Sequence, residues 1–527
     1  MKKLSEKKMI VTALILICGL QLLLSLYWGK QKDYLFFDEV FSYAAANNVE
    51  SISAEFAGNQ WMDEEWFDSY MGVDSEHRFD YSIPYKNQIT DVHPPLFYFF
   101  LHTASSFVPE EFSFMAGISF NIVFFIGCTI ALYFVGKELF KSKECGLLTG
   151  FLYAISFAGL NTMVFIRMYM LMAFLATVHV LVYLKYMEKE EIPVKGYLLL
   201  ILTLVAGVLT QYYFLFVAFF LGVWYTIKFF IEKRYQTLIK YLMSIAASAG
   251  ICLAVWPTML KHLFSGVRGK EAQSNFFALD GYLSDLKEMF RVLNNDLFTK
   301  LLPVILVGML GLFVIYRKKS GTIDKTLCKK RVMVLFVCAG YFFVVTKVAP
   351  YQMDRYLMPI YPLVYLLVVG IACELLQKFL SKKAACILCV LGFGGLSVIH
   401  IVHSGIPYTY VKNPNNIERQ ALVEEYKEDY ALYISDNGEC HHFTSAQVLR
   451  NYKAFYHVYD LSSVEQTKND IKNVYEDKEL VVYVTNTLDM DMVNEFVQQV
   501  FDGQNLDEHN LLDEDEEWNV YLIKLNE

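Results

Sequence analysis

Met9–Trp28 (MIVTALILICGLQLLLSLYW), followed closely by Phe36-Phe37-Asp38-Glu39-Val40-Phe41-Ser42-Tyr43, decides how the chain is read. The first run has the length of a helix that spans a bilayer, so the acidic pair emerges one to two turns beyond it, at the membrane face. Read on its own, Asp38 or Glu39 caps an amphipathic helix over Val40–Ala46, because a carboxylate is favourable at a helix N-terminus. The rest of the chain supplies a second reading.

Working outward, the 527 residues are 55% hydrophobic and 16% aromatic, more apolar surface than a soluble core could hide. Further apolar segments lie near 114–135, 146–163, 168–186, 196–213, 214–231, 239–256, 301–316, 332–347, 357–376 and 384–402. The expectation is a polytopic α-helical membrane protein of about eleven transmembrane helices. Four lysines precede the first run and no small-residue cleavage site follows it, so it reads as a retained anchor.

Charge sets the orientation. Lys2, Lys3, Lys7, Lys8, Lys137, Lys141, Lys143, Lys185, Lys189, Lys228, Lys233 and the basic run 317–331 fall in one set of short connections, which the positive-inside rule assigns to the cytoplasm. The stretch Asp33–Asp91, with 13 acids against Arg78 and Lys86, faces outward, and an odd number of spans carries the C-terminal region outward too. From His403 on, 25 Asp and Glu stand against 9 Lys and Arg, so this stretch carries −16 and the first 402 residues carry +7, which together give the net −9. The domains are read as 1–402, a membrane body with a first outer loop at 29–113, and 403–527, an acidic extracytoplasmic α/β domain whose sheet is mainly parallel. Within the first loop, Asn59–Tyr70 reads as a helix in the headgroup zone. The connection Pro257–Lys300 has the length and polarity of a mobile loop.

Of ten cysteines only Cys440 lies in the C-terminal domain, which argues against a disulfide framework. Cys386 and Cys389 read as packing residues of an apolar span. Glu439-Cys440-His441-His442 matches no zinc spacing and reads as a surface turn, and Asp513–Glu517 as a solvated loop. Nothing points to nucleic acid.

Several charged residues sort to one side of the membrane near span ends: Asp38, Glu39, Asp91, His93, Arg167 and Arg355. Each has a plain reading, since Arg167 can snorkel to headgroups, Arg355 can pair with Asp354, and His93 can be a satisfied structural imidazole. Together they suit one chemistry. Outside the cytoplasm a glycosyl transfer draws on a polyprenyl-phosphate-linked sugar, whose leaving phosphate calls for guanidinium or imidazolium partners. The acceptor hydroxyl calls for a carboxylate, and the lipid tail for an apolar groove.

The Phe-Asp-Glu motif at 37–39, His-Pro-Pro-Leu-Phe-Tyr at 93–98, Arg-Met-Tyr at 167–169 and Arg-Tyr-Leu-Met-Pro at 355–359 resemble the GT-C superfamily, and within it bacterial glycosyltransferase family 39, the branch of protein O-mannosyltransferases and lipid A aminoarabinose transferases. The resemblance covers about residues 1–375 and rests on motif order. It implies an inverting transfer with Asp38 as catalytic base or acceptor-positioning acid, Glu39 in support and Asp91 as the alternative base. It further implies that Arg167 and Arg355 bind the donor phosphate, with His93 and Tyr356 beside them, in a cavity between the first outer loop and the span ends. No cofactor is certain, although His77, Asp80, His93 and the acidic pair leave a divalent ion open. His93 stands where the lipid A branch would have a lysine, and the C-terminal domain matches no family motif. The acceptor, whether envelope glycan, lipid or protein, is not specified.

Two other classes compete. A transporter would show ionisable groups near the bilayer midplane or repeated halves, and here only His179 and Glu374 come near that description. A scaffold or receptor would leave the one-sided Asp, His and Arg set without purpose. Residue usage and topology together indicate a multi-pass protein of a bacterial plasma membrane, with a cytoplasmic N-terminus.

Overall fold

The computed structural model describes residues 2–50, 58–278, 280–318, 325–436, 445–474, 479–501, 503–515 and 517–524. The turn expected at Glu439–His442, with Cys440, lies outside them. The chain forms two compact units: a helical one (1–31, 88–100, 117–406) and one built around a sheet (32–87, 101–116, 407–527).

In the helical unit every apolar segment of the sequence is helical. Among the described residues eight helices are long and apolar enough to cross a membrane, from Glu6–Lys30 to Lys382–Thr409, and up to ten if two bent pairs each count as one span. Val194–Thr210 is apolar but shorter. This is a multi-pass membrane protein. The bends have local causes. Between Lys143–Ala154 and Phe157–Val164 the axis turns by 54° where the Ser156 hydroxyl accepts the Gly159 N–H and starts a new helix. Between Tyr282–Phe298 and Leu302–Lys318 it turns by 74° at Thr299 and Lys300, both in the left-handed region (φ 51° and 68°). Close backbone packing also needs small residues: a Cβ on Gly146 would stand 2.4 Å from the Tyr133 carbonyl oxygen, so these neighbouring helices touch main chain to main chain.

The connection 257–300 departs from expectation. It is helical, in three pieces, Met259–Phe264, Val267–Phe277 and Tyr282–Phe298. The last is amphipathic, with Met289, Leu293 and Leu297 on its buried side. Most of its polar residues lie on the exposed face rather than marking a loop, with Asn294 and Asp296 buried among the apolar ones.

The second unit carries a six-stranded sheet: β1 (Gln60–Met62), β2 (Tyr430–Ile434), β3 (Ala454–Val458), β4 (Glu479–Thr485), β5 (Leu511–Glu514) and β6 (Trp518–Lys524), in the order β1-β3-β2-β4-β6-β5. β2 pairs in parallel with β3 and β4, while β1–β3, β4–β6 and β5–β6 are antiparallel, so the sheet is mixed rather than mainly parallel. All five residues of β2 are buried, as a strand covered on both faces requires. Helices Val464–Val474 and Met490–Val500 press Ile471, Val493, Phe496 and Val497 onto Leu432, Tyr456 and Val482.

Two further expectations are corrected here. The stretch 59–70 is not one helix: Gln60–Met62 becomes the edge strand β1, with Trp61 ringed by Tyr430 and Tyr456, and Asp63 then caps helix Glu64–Met71 by accepting the Trp66 N–H. The acid run near the C-terminus is not simply a solvated loop, since Asp513 and Glu514 belong to β5. Asp515 (2.6 Å) and Glu517 (3.0 Å) hold Arg419, whose guanidinium lies over the Trp518 ring.

Candidate functional site

Three groups of the expected residues take shape, two in the helical unit and one in the sheet unit.

The first is a chain of contacts on the segment ahead of helix Leu96–Ser105, where Pro94 and Pro95 hold the backbone out of helix until Leu96. The Asp91 carboxylate takes the His93 ring at Nδ1 (2.8 Å) and the His93 N–H (3.3 Å). With its amide nitrogen turned toward them, Gln88 donates to the same Asp91 oxygen and to the His93 carbonyl, both at 3.0 Å. Burial opposes ionisation of Asp91, but the His93 ring beside it, a backbone N–H and the Arg167 charge more than offset this and hold its carboxyl at about 2. With Nδ1 donating to Asp91, the His93 Nε2 lone pair faces Arg167 Nη2 at 3.4 Å. Arg167 Nη1 donates to the Tyr98 hydroxyl, also at 3.4 Å. Arg167 is buried in the break between helices Phe157–Val164 and Tyr169–Val182. Asn121 stabilises that break by donating to the carbonyls of Met163 (3.1 Å) and Phe165 (2.8 Å), which the broken helix leaves exposed.

The second group is Arg355 with Tyr356, on paired 3₁₀ turns Asp354–Tyr356 and Met358–Ile360. Arg355 is buried, its guanidinium 5.2 Å from the centre of the Tyr356 ring and 3.5 Å from its hydroxyl. Asp354 accepts the Arg355 N–H (2.7 Å) and Asn161 (3.3 Å), and the Tyr341 hydroxyl donates to the Tyr356 carbonyl (2.9 Å). The Tyr356 ring meets Tyr213 at 5.7 Å, and Tyr213 stacks on Phe216 at 5.8 Å. Phe216 in turn lines an apolar cavity of about 890 Å³, bounded also by Leu204, Phe220, Ile245, Cys252 and Phe276. A run of three aromatic rings, Tyr356, Tyr213 and Phe216, thus leads from a buried guanidinium to an oily chamber.

The third group is the acidic pair. Glu39 and Lys32 form a fully buried ion pair at 3.0 Å. Glu39 also accepts the Phe36 N–H (2.8 Å) while the Glu39 N–H donates to the Phe36 carbonyl (2.7 Å), a reciprocal cap that fixes the start of helix Phe37–Asn47. Asp38 is the second residue of that helix and is half-buried. Lys32 also donates to the Tyr408 carbonyl at 2.5 Å. Burial lowers its pKa, against which Glu39 acts.

Sequence reasoning missed a polar chain beside the first group. The Tyr212 hydroxyl accepts from Trp256 Nε1 (3.0 Å) and meets His262 Nδ1 (2.9 Å), and His262 Nε2 lies 3.4 Å from the Ile89 carbonyl. Burial lowers the His262 pKa, so its ring is neutral near pH 7. Only the polarity of 257–300 hinted at it. For a metal, the donor set does not fit: among the described residues no three His, Cys, Asp or Glu side chains converge as ligands, and His77 pairs with Asp74 while Asp80 accepts the Ser82 N–H.

No protein-family model matches the sequence, and no curated protein matches it. Solved structures do. ArnT from Cupriavidus metallidurans bound to undecaprenyl phosphate is similar with a TM-score of 0.52 at 9% identity, over 96% of this chain and 97% of that one. Its apo state gives 0.48 at 10% identity, over 99% and 98%. The archaeal oligosaccharyltransferase AglB from Archaeoglobus fulgidus, in complex with an inhibitory peptide and a dolichol-phosphate, gives 0.44 at 10%, over 94% and 71%. The first of these likenesses shows a shared fold.

Proposed function

We propose that this chain, which has the fold of the GT-C membrane glycosyltransferases, moves a sugar from a polyprenyl-phosphate carrier to an extracytoplasmic acceptor with inversion at the sugar. The observation that carries this reading is the continuity from Arg355 and Tyr356, through Tyr213 and Phe216, into the apolar cavity. A long apolar tail ending in a phosphate has that same sequence of chemistries. The neighbouring fold with undecaprenyl phosphate bound adds support.

In this mechanism the leaving phosphate gains charge as the glycosidic bond breaks, and the guanidinium of Arg355 stabilises it in a site largely shielded from water. Arg167 supplies a second positive charge, its orientation set by His93, which Asp91 holds in one tautomer. Asp38 takes the proton from the acceptor hydroxyl as that oxygen attacks the anomeric carbon from the face opposite the phosphate, which inverts the configuration. Asp91 suits this proton transfer less well. Held at about 2, its carboxylate is a weak base, and its oxygen is already occupied by His93 and Gln88. No step needs a metal. Lysine and arginine placement supports a cytoplasmic N-terminus, a site on the outer side and a bacterial plasma membrane as its home.

The test is release of radiolabelled sugar from polyprenyl-phosphate donors by purified protein, wild type and Asp38→Asn side by side. Release by wild type alone is expected. No release from any donor, together with no binding of polyprenyl phosphate, would sink the reading in favour of a transporter or scaffold.

A further inference from the structure

The sheet unit grips the segment that leads into the acidic pair. The Gln447 side-chain amide, in the short helical stretch 445–449, accepts the Leu35 N–H at 2.8 Å and donates to the Leu35 carbonyl at 3.0 Å. One side chain thus takes both backbone groups of one residue, as a neighbouring strand would, and all of it is buried. Around it, the Asp33 N–H donates to the Thr409 carbonyl (3.2 Å), Lys32 to the Tyr408 carbonyl (2.5 Å), and the Tyr34 ring packs on Tyr410 at 5.0 Å. Every residue from Lys32 to Leu35 is therefore tied to the region after 407. Leu35 immediately precedes Phe36, the helix cap, and the reciprocal Phe36–Glu39 bonds pass its position rigidly to the first turn, where Asp38 stands.

We infer that the C-terminal region is part of the catalytic apparatus, and that Gln447 is a positioning residue which sets where the Asp38 carboxylate stands through its two-way hold on Leu35. This rests on the transfer reaction proposed above with Asp38 as base. An acid at the head of a helix cannot be placed by a flexible lead-in, and a misplacement of about 1 Å costs a reaction of this kind on the order of 100-fold. The C-terminal region, which carries no sequence motif of its own, thereby acquires a purpose.

The experiment compares wild type, Gln447→Ala and Gln447→Glu, full length, in sugar transfer and in amide hydrogen exchange over residues 33–40. Gln447→Ala should lower kcat roughly 10- to 100-fold, leave the donor KM within about 2-fold, and speed exchange across 33–40 without loosening the helices of the membrane spans. Gln447→Glu supplies a variant whose protonated form again offers one donor and one acceptor. Its activity relative to wild type should recover as the pH is lowered toward about 5, the range in which a buried carboxyl regains its proton. Unchanged kcat and unchanged exchange in Gln447→Ala would overturn the inference while leaving the transfer reaction standing. Equal loss in both variants with no recovery at low pH would overturn it as well, since a merely structural role predicts that. Absence of transfer by the wild type overturns instead the glycosyltransferase reading on which the role depends.

Discussion

The acidic pair Asp38–Glu39 and the Asp91–His93–Arg167 chain both stand on short stretches next to helix starts, yet they hold their charges in opposite ways. Glu39 is sealed from water, its carboxylate paired with Lys32 and accepting the Phe36 N–H. Asp91 keeps about a fifth of its side chain open and passes its charge along a line, to His93 and then to Arg167. The first arrangement fixes a backbone. The second orients a cation. Under the transfer reaction proposed above, the role of base falls to Asp38, half-buried beside a fixed neighbour.

That contrast can be broken most sharply at Asp38. Asp38→Asn keeps the helix and both anchors, so transfer should fall by about 10²- to 10⁴-fold with polyprenyl-phosphate binding unchanged. If Asp91→Asn showed that loss and Asp38→Asn did not, the two regions would exchange roles. Next in size is Lys32→Met, which strands a buried carboxylate and should cost roughly 3–5 kcal/mol in unfolding of the purified protein. The double variant Lys32→Met/Glu39→Gln should recover much of it, and a double variant as weak as the single one would mean that the pair is not the anchor described here. Arg355→Ala should raise the donor KM by about 10- to 100-fold, the value of a charge-assisted contact of roughly 1.5–3 kcal/mol, with a smaller change in kcat. An unchanged donor KM would remove Arg355 from the phosphate site.

The smallest effect is read from pH. The folded pKa of Asp91, about 2, lies below the usual carboxylate value near 4, so its contribution to stability is present above about pH 4 and disappears as the pH falls through 2. Asp91→Asn should therefore be less stable than wild type by up to about 2 kcal/mol at neutral pH, and the two should converge near pH 2. A constant difference across that range would show that Asp91 acts through shape alone.

What could be read in advance was what is local. Span positions follow from windows of hydropathy, and the helix that begins beside Asp38 and Glu39 from a carboxylate's preference for a helix N-terminus. The Asp91–His93 contact joins residues two apart. What stayed hidden joins distant segments. Three residues of strand give too little alternation to announce β1, and its partner β3 lies in the C-terminal region. Arg167 and His93 are 74 residues apart, and nothing in either motif names the other. The amphipathic period of Tyr282–Phe298 lies in the sequence, within a connection whose length and polarity read as a loop. Gln447 carried no signal at all, because a side-chain amide that takes up a backbone looks in sequence like any other glutamine.

The hold of Gln447 on Leu35 spans 412 residues. Chains are made from the N-terminus at about 5–20 residues per second, so Leu35 leaves the ribosome roughly 20 to 80 seconds before its partner exists. Through that interval the membrane helices can insert while the acidic motif lacks its clamp. Under the transfer reaction proposed above, the growing polypeptide gains its active geometry only once Gln447 has been made.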